Sequence, residues 1–198
     1  GVGVRRTRND DVASSSRILI GENIIGLSFN GDSRLATGEA FGNVLDGVRI
    51  ADVAGVQVGQ IRPGGGGWSN VISGNLGRGV EIYWTLKPST VQNFIFNNLI
   101  GTDFSGRVPT ETTKAPGNLS DGVFVYGDAS TFIVANLIGG NRAAGVNVAS
   151  TGEAFQGSAW IGANWIGTGP TGVVASNGSE GVFLTLLRAA GYGRVQVV

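Results

Sequence analysis

"FIFNNLIGTDFSG" at residues 94–106 and "WIGANWIGTGPTG" at 160–172 are one phrase written twice. They agree at Ile95/Ile161, Asn98/Asn164, Ile100/Ile166, Gly101/Gly167, Thr102/Thr168 and Gly106/Gly172. The phrase recurs as Leu19-Ile20-Gly21-Glu22-Asn23-Ile24-Ile25-Gly26 and as Phe132-Ile133-Val134-Ala135-Asn136-Leu137-Ile138-Gly139, with Val71-Ile72-Ser73-Gly74-Asn75 reading as a degraded copy. A second phrase, Gly-Val-x-aliphatic, alternates with it: Gly47-Val48-Arg49-Ile50, Gly79-Val80-Glu81-Ile82, Gly122-Val123-Phe124-Val125, Gly145-Val146-Asn147-Val148 and Gly181-Val182-Phe183-Leu184.

Asn75 to Asn98 and Gly122 to Gly145 each span 23 residues, whereas Gly47–Gly79, Gly79–Gly122 and Gly145–Gly181 span 32, 43 and 36. A basic unit of 23 residues that accepts insertions of varied length is the mark of stacked coils, because extra residues leave as loops from a corner. The apolar runs are short and broken by Gly, so a helical repeat with i, i+3, i+4, i+7 spacing does not fit. The 35 glycines come without a G-X-Y period and with many Val and Ile, which means short strands and tight turns. The expected fold is all-β: a right-handed parallel β-helix of six to eight coils, in a single domain over 1–198. Ile95, Ile100, Ile133, Ile138, Ile161 and Ile166 are expected to stack inside. Asn at the bends is expected to bond backbone groups and the same Asn one coil on.

The run Asn98-Leu99-Ile100-Gly101-Thr102-Asp103 with Gly106, followed by Gly117-Asn118-Leu119-Ser120-Asp121-Gly122-Val123, resembles the repeats of right-handed parallel β-helix proteins of the pectin-lyase-like superfamily. The likeness extends over about residues 17 to 184, and is closest to repeat arrays of large secreted or surface bacterial proteins. The resemblance implies the fold more than the function, since such helices serve as polysaccharide lyases, glycosidases, tailspikes, adhesins and stalks.

Composition narrows the function. Net charge is zero, which points away from nucleic acid and anionic membranes. Cys and His are absent, removing disulfides, thiolate metal sites and His-based triads. No apolar stretch is long enough for a membrane span. The run Arg5, Arg6, Arg8 is offset by Asp10 and Asp11 and reads as a solvated chain end.

In Gly-Val-x-aliphatic the x residue points outward. That gives one surface column of Arg49, Glu81, Phe124, Asn147 and Phe183, and a second of Ala51, Tyr83, Tyr126, Ala149 and Thr185. Arg49 and Glu81 read as a surface ion pair. Tyr83 and Tyr126 should stack, with Phe124 beside them and Trp84 close by, as a ladder that stabilises the sheet or as a platform for a sugar or a protein partner. A third column, Asp46, Arg78, Asp121, Ala144 and Glu180, precedes the Gly. Asp121 and Glu180 are the candidate catalytic carboxylates, two coils and about 9.6 Å apart; turn-capping explains them more simply. Asp103, Asp121 and Asp128 are the nearest approach to a metal site, and no metal or cofactor is expected. Three insertions, at 62–69 with Trp68, 102–121 with Arg107, Glu111 and Lys114, and 167–180, read as binding loops or spacers.

The functional expectation is a non-catalytic structural or adhesive β-solenoid, secreted or at the cell surface. Rival readings are a polysaccharide lyase or glycoside hydrolase of the same fold, and a carbohydrate-binding module. Gly1-Val2-Gly3-Val4 and Gly193-Arg194-Val195-Gln196-Val197-Val198 both read as strands, and Leu184 to Ala190 as the one candidate cap. The end coils are therefore expected to pair with neighbouring chain segments or with other copies.

Overall fold

The computed structural model describes residues 1–5, 18–28, 42–60, 67–85, 91–108, 117–150, 157–169, 172, 174–186 and 194–198. Arg6, Arg8, Asp10, Asp11, Glu111, Lys114 and residues 187–190 of the candidate cap lie outside them.

Each coil contributes one strand to each of three parallel sheets. The first sheet contains β1 (Val2–Arg5), β4 (Val48–Ala51), β7 (Val80–Tyr83), β10 (Val123–Tyr126), β13 (Val146–Ser150) and β16 (Val182–Leu186), in that order. The second contains β2 (Ile18–Ile20), β5 (Val56–Val58), β8 (Asn93–Phe96), β11 (Thr131–Val134), β14 (Ser158–Gly162) and β17 (Arg194–Val197). The third contains β3 (Ile24–Ile25), β6 (Val71–Ile72), β9 (Leu99–Ile100), β12 (Leu137–Ile138) and β15 (Trp165–Ile166). Among the described residues these strands make five complete coils and two strands of a sixth, against the expected six to eight.

Alternation along the strands sorts side chains into columns. In the first sheet Val2, Val48, Val80, Val123, Val146 and Val182 are in register, and so are the inward Val4, Ile50, Ile82, Val125, Val148 and Leu184. In the second and third sheets Ile95, Ile133, Ile161, Ile72, Ile100 and Ile138 are buried, and half-buried Ile166 packs against them. Together these columns make one continuous core.

The outward column of the third sheet is also apolar. Val71, Leu99 and Leu137 form a second cluster, covered by Leu27 and Trp68. Trp68 meets Trp165 edge-on at 6.1 Å between centroids, so Trp68 packs the scaffold from the end of its insertion. The loop after β9 is ordered by Asp103, whose Oδ1 accepts from Ser105 N at 2.8 Å and Arg107 N at 3.0 Å.

Two asparagine ladders line two corners. Between the second and third sheets, Asn23, Asn70, Asn98 and Asn136 donate in turn to Oδ1 of the next, ending on Asn164, at 3.2, 2.7, 3.0 and 3.0 Å. Between the third sheet and the next coil, Asn43, Asn75, Asn118 and Asn141 do the same, ending on Asn177, at 2.7, 2.8, 2.8 and 3.0 Å. Asn75 therefore belongs to the second ladder. The partner of Asn98 is Asn70, and the reading of 71–75 as a copy of the first phrase is corrected. Both corners need a buried amide to satisfy turn backbone groups, so both select Asn. At the first corner one left-handed residue makes the turn before the Asn: Glu22, Asn97, Ala135 and Ala163, at φ 60, 57, 55 and 52°.

The glycine of Gly-Val-x-aliphatic is fixed by close approach. A Cβ on Gly47, Gly79, Gly122 or Gly145 would lie 2.6–2.8 Å from a ladder Asn Nδ2, an inward Ile Cγ2 and the carbonyl oxygen of the next such glycine.

Candidate functional site

The outward face of the first sheet gathers most of the titratable side chains anticipated as functional. β4, β7 and β10 place Arg49, Glu81 and Phe124 in one column, and Ala51, Tyr83 and Tyr126 in the next. The corner before each strand adds Asp46, Arg78 and Asp121.

Glu81 is at the centre. Its Oε1 accepts from Arg78 Nη1 at 2.8 Å, and its Oε2 lies 2.9 Å from Arg49 Nε. Glu81 is only 4% exposed, whereas the Arg49 and Arg78 side chains are 48% and 31% exposed; the expected pair of Arg49 and Glu81 across adjacent coils forms, with its carboxylate buried and its guanidinium at the surface. The long Arg side chains lie over the column: Arg78 Cζ sits 4.1 Å from the Phe124 ring centroid, and Arg49 Cζ 5.8 Å from that of Tyr83. Burial raises the Glu81 pKa above its ordinary 4.5, the Asp46 charge raises it further, and the two guanidinium groups only partly offset these effects.

The aspartates of the third column act on the backbone. Asp46 Oδ1 accepts from Arg78 N at 2.8 Å, and Asp121 Oδ1 from Ala144 N at 3.0 Å. Asp121 Oδ2 also accepts from Asn147 Nδ2 at 3.3 Å and lies 3.9 Å from Arg78 Nε. Each carboxylate thus caps the first turn of the coil above. Glu180 is exposed and sits two coils beyond Asp121, with Ala144 in the coil between. Asp103 organises its own loop over the third sheet, away from Asp121. Among the described residues no group of three or more acidic side chains is placed to hold a metal ion.

Tyr83 and Tyr126 stack at 4.9 Å with planes 7° apart, and Phe124 lies 6.2 Å from Tyr126. Trp84 is not beside them. It follows Tyr83 by one residue, so alternation turns it inward; it is 6% exposed and part of the core. The platform reading loses that member.

One aromatic column was not anticipated. On the second sheet the outward residues of β8, β11 and β14 are Phe94, Phe132 and Trp160. Phe94 and Phe132 stack at 5.3 Å and 20°, and Trp160 meets Phe132 at 5.4 Å and 69°. The signal was the residue before each inward Ile of the first phrase, which alternation alone would have turned outward. No protein-family model, curated protein or solved structure matches the chain.

Proposed function

We propose that this chain is a non-catalytic structural or adhesive β-solenoid, a segment of a secreted or surface assembly of the pectin-lyase-like kind. The observation that carries the reading is the use made of the carboxylates on the first sheet. Asp46 and Asp121 each accept a backbone N–H from the following coil, so the groups best placed for acid–base chemistry are engaged in holding coils together. The same holds for the two asparagine ladders, which run through the five complete coils. Association through the end coils belongs to this reading. In support, Leu184 and Val197 occupy inward columns yet are 43% and 53% exposed in the last coil.

A second reading, a glycoside hydrolase or polysaccharide lyase, has one observation in its favour: Glu81, with a raised pKa, lies between two Arg and beside Asp46. One experiment separates the two. The protein and its Glu81→Gln variant are incubated with neutral and acidic polysaccharides, and new reducing or unsaturated ends are measured. The structural reading expects no release by either protein. Release by the parent that disappears in Glu81→Gln overturns it.

A further inference from the structure

Exposed aliphatic side chains gather at one corner of the solenoid. Val44, Leu76 and Leu119 each follow a member of the second asparagine ladder, Asn43, Asn75 and Asn118. The Leu76 N–H donates to the Asn43 carbonyl at 2.8 Å and the Leu119 N–H to the Asn75 carbonyl at 2.9 Å, so the three stand in line on consecutive coils. They are 78%, 42% and 47% exposed, and Leu45 beside Val44 is 67% exposed. The ladder holds the backbone beneath them. The result is an aliphatic ridge along the solenoid axis, with a step of about 4.8 Å per coil. A contiguous apolar patch left in water marks a contact surface.

The outward face of the second sheet holds a matching depression. Beside Trp160 runs a groove of about 310 Å3, lined by Phe132, Ser158, Ala159, Trp160, Arg194 and Gln196. The indole is turned 69° from the Phe132 ring. Ser158 pairs with Arg194 and Trp160 with Gln196, so the groove crosses β14 and β17, two strands that are also about 4.8 Å apart. Arg194 is the one charge in the lining. It is exposed and forms no ion pair among the described residues.

We propose that the aliphatic ridge of one copy docks in the Trp160 groove of a second copy, so that copies of this chain associate side by side. Three features select a second copy as the occupant. The steps match: ridge side chains on successive coils have the spacing of the two strands under the groove, so neighbours such as Leu76 and Leu119 enter together with the two axes aligned. The polarity matches: aliphatic side chains meet the indole, the Phe132 ring and Ala159, and apolar surface leaves water on both copies. The charge matches: the column beside the ridge, Asp46, Arg78 and Asp121, has two acids to one base, opposite in sign to the unpaired Arg194 at the groove. Ridge and groove are different surfaces of one chain, so the contact is heterologous and repeats from copy to copy. It uses outward side chains and not strand edges. β17 is the free edge strand of its sheet among the described residues, and a strand added there is the competing occupant of this region. The side-by-side contact rests on the structural reading above and names a lateral partner for it; polysaccharide cleavage, which tests that reading, is a separate measurement.

The test is sedimentation velocity and light scattering of the intact chain over a concentration series. The parent should self-associate reversibly. Leu76→Glu with Leu119→Glu removes the ridge, and Trp160→Ala removes one wall of the groove; each should weaken self-association about ten-fold or more. Gln196→Lys, an outward substitution on β17, is the second groove variant and serves if Trp160→Ala lowers the melting temperature. The deciding arm mixes the ridge variant with a groove variant. The first keeps its groove and the second keeps its ridge, so the mixture should form 1:1 pairs that neither protein forms alone, and growth should stop there. The side-by-side contact is overturned if the parent is monomeric at every concentration. It is overturned if ridge and groove variants associate as the parent does, the result expected of pairing through strand edges. It is also overturned if variants that melt like the parent give no pairs when mixed.

Discussion

Gly122→Ala and Gly181→Ala make the same chemical change at equivalent positions of two coils, and the structure assigns them opposite outcomes. A methyl on Gly122 would meet Asn141 Nδ2, Gly145 O and Ile138 Cγ2, all at 2.7 Å. The first atom is fixed by its ladder, the second by the sheet and the third by the core, so none yields cheaply. Overpacking of this kind costs about 1–3 kcal/mol. The smaller conformational freedom of Ala in the unfolded chain offsets about 0.4–1 kcal/mol of that. A net loss of about 1–2 kcal/mol lowers Tm by roughly 2–8 °C for a chain of this size. Among the described residues no strand pairs with β16 on its far side, and a methyl on Gly181 would meet only Ile166 Cγ2, at 3.4 Å. Gly181→Ala should therefore be neutral or stabilising by up to about 1 kcal/mol. Calorimetric or circular-dichroism melts of the two variants beside the parent give the comparison. Equal shifts, or a larger loss at Gly181, would refute the close-approach account of the repeated glycine.

Three further outcomes follow from the same geometry. Asn98→Ala removes the amide bonds to Asn70, Asn136 and the Val58 carbonyl; urea titration should report a loss of about 2–4 kcal/mol, against less than about 1 kcal/mol for Asn23→Ala at the exposed ladder end. Ile138→Asp places an unpaired charge among fully buried aliphatics and should cost more than about 4 kcal/mol; a variant that melts like the parent would reverse the inward and outward assignment. Glu81 has a folded-state pKa raised above 4.5, so its proton is held more tightly in the fold than in the unfolded chain. The stability it contributes is fully present below pH 4.5 and is lost as pH rises through the raised value. Glu81→Gln should remove that slope from a pH series of melts, and an unchanged slope would assign it to another group.

The columns of the first sheet were readable because strand alternation has a period of two and each copy of Gly-Val-x-aliphatic starts at the same corner. The pairings Val123 to Val80 and Val146 follow directly from that phrase. The corners were harder. Two of them demand the same residue type for the same reason, so spacing alone placed Asn75 with Asn98, although an insertion carries Asn70 into that ladder. Trp84 is next to Tyr83 in sequence but on the opposite face of the strand, so alternation buries it in the core. Phe94, Phe132 and Trp160 each precede an inward Ile, so strand alternation places them outward in one column. The burial of Glu81 lay beyond sequence reasoning, because it depends on how Arg49 and Arg78 fold down over the column.

The central claim is that one coil stacks on the next in parallel, with β10 and β13 paired residue for residue at a separation of 23 positions. The chain has no cysteine, so an introduced pair reports on nothing else. Phe124 and Asn147 are directly paired outward residues of β10 and β13, with Cα atoms about 4.8 Å apart, inside the disulfide range of about 4.4–6.8 Å. Phe124 and Ala149 are two residues out of register and about 8 Å apart by the same strand geometry. The measurement is the yield of intramolecular disulfide under mild oxidation of the folded protein. The account predicts high yield for Phe124→Cys with Asn147→Cys and little for Phe124→Cys with Ala149→Cys. Equal yields, or the reverse order, would contradict the parallel stacking on which every other inference rests.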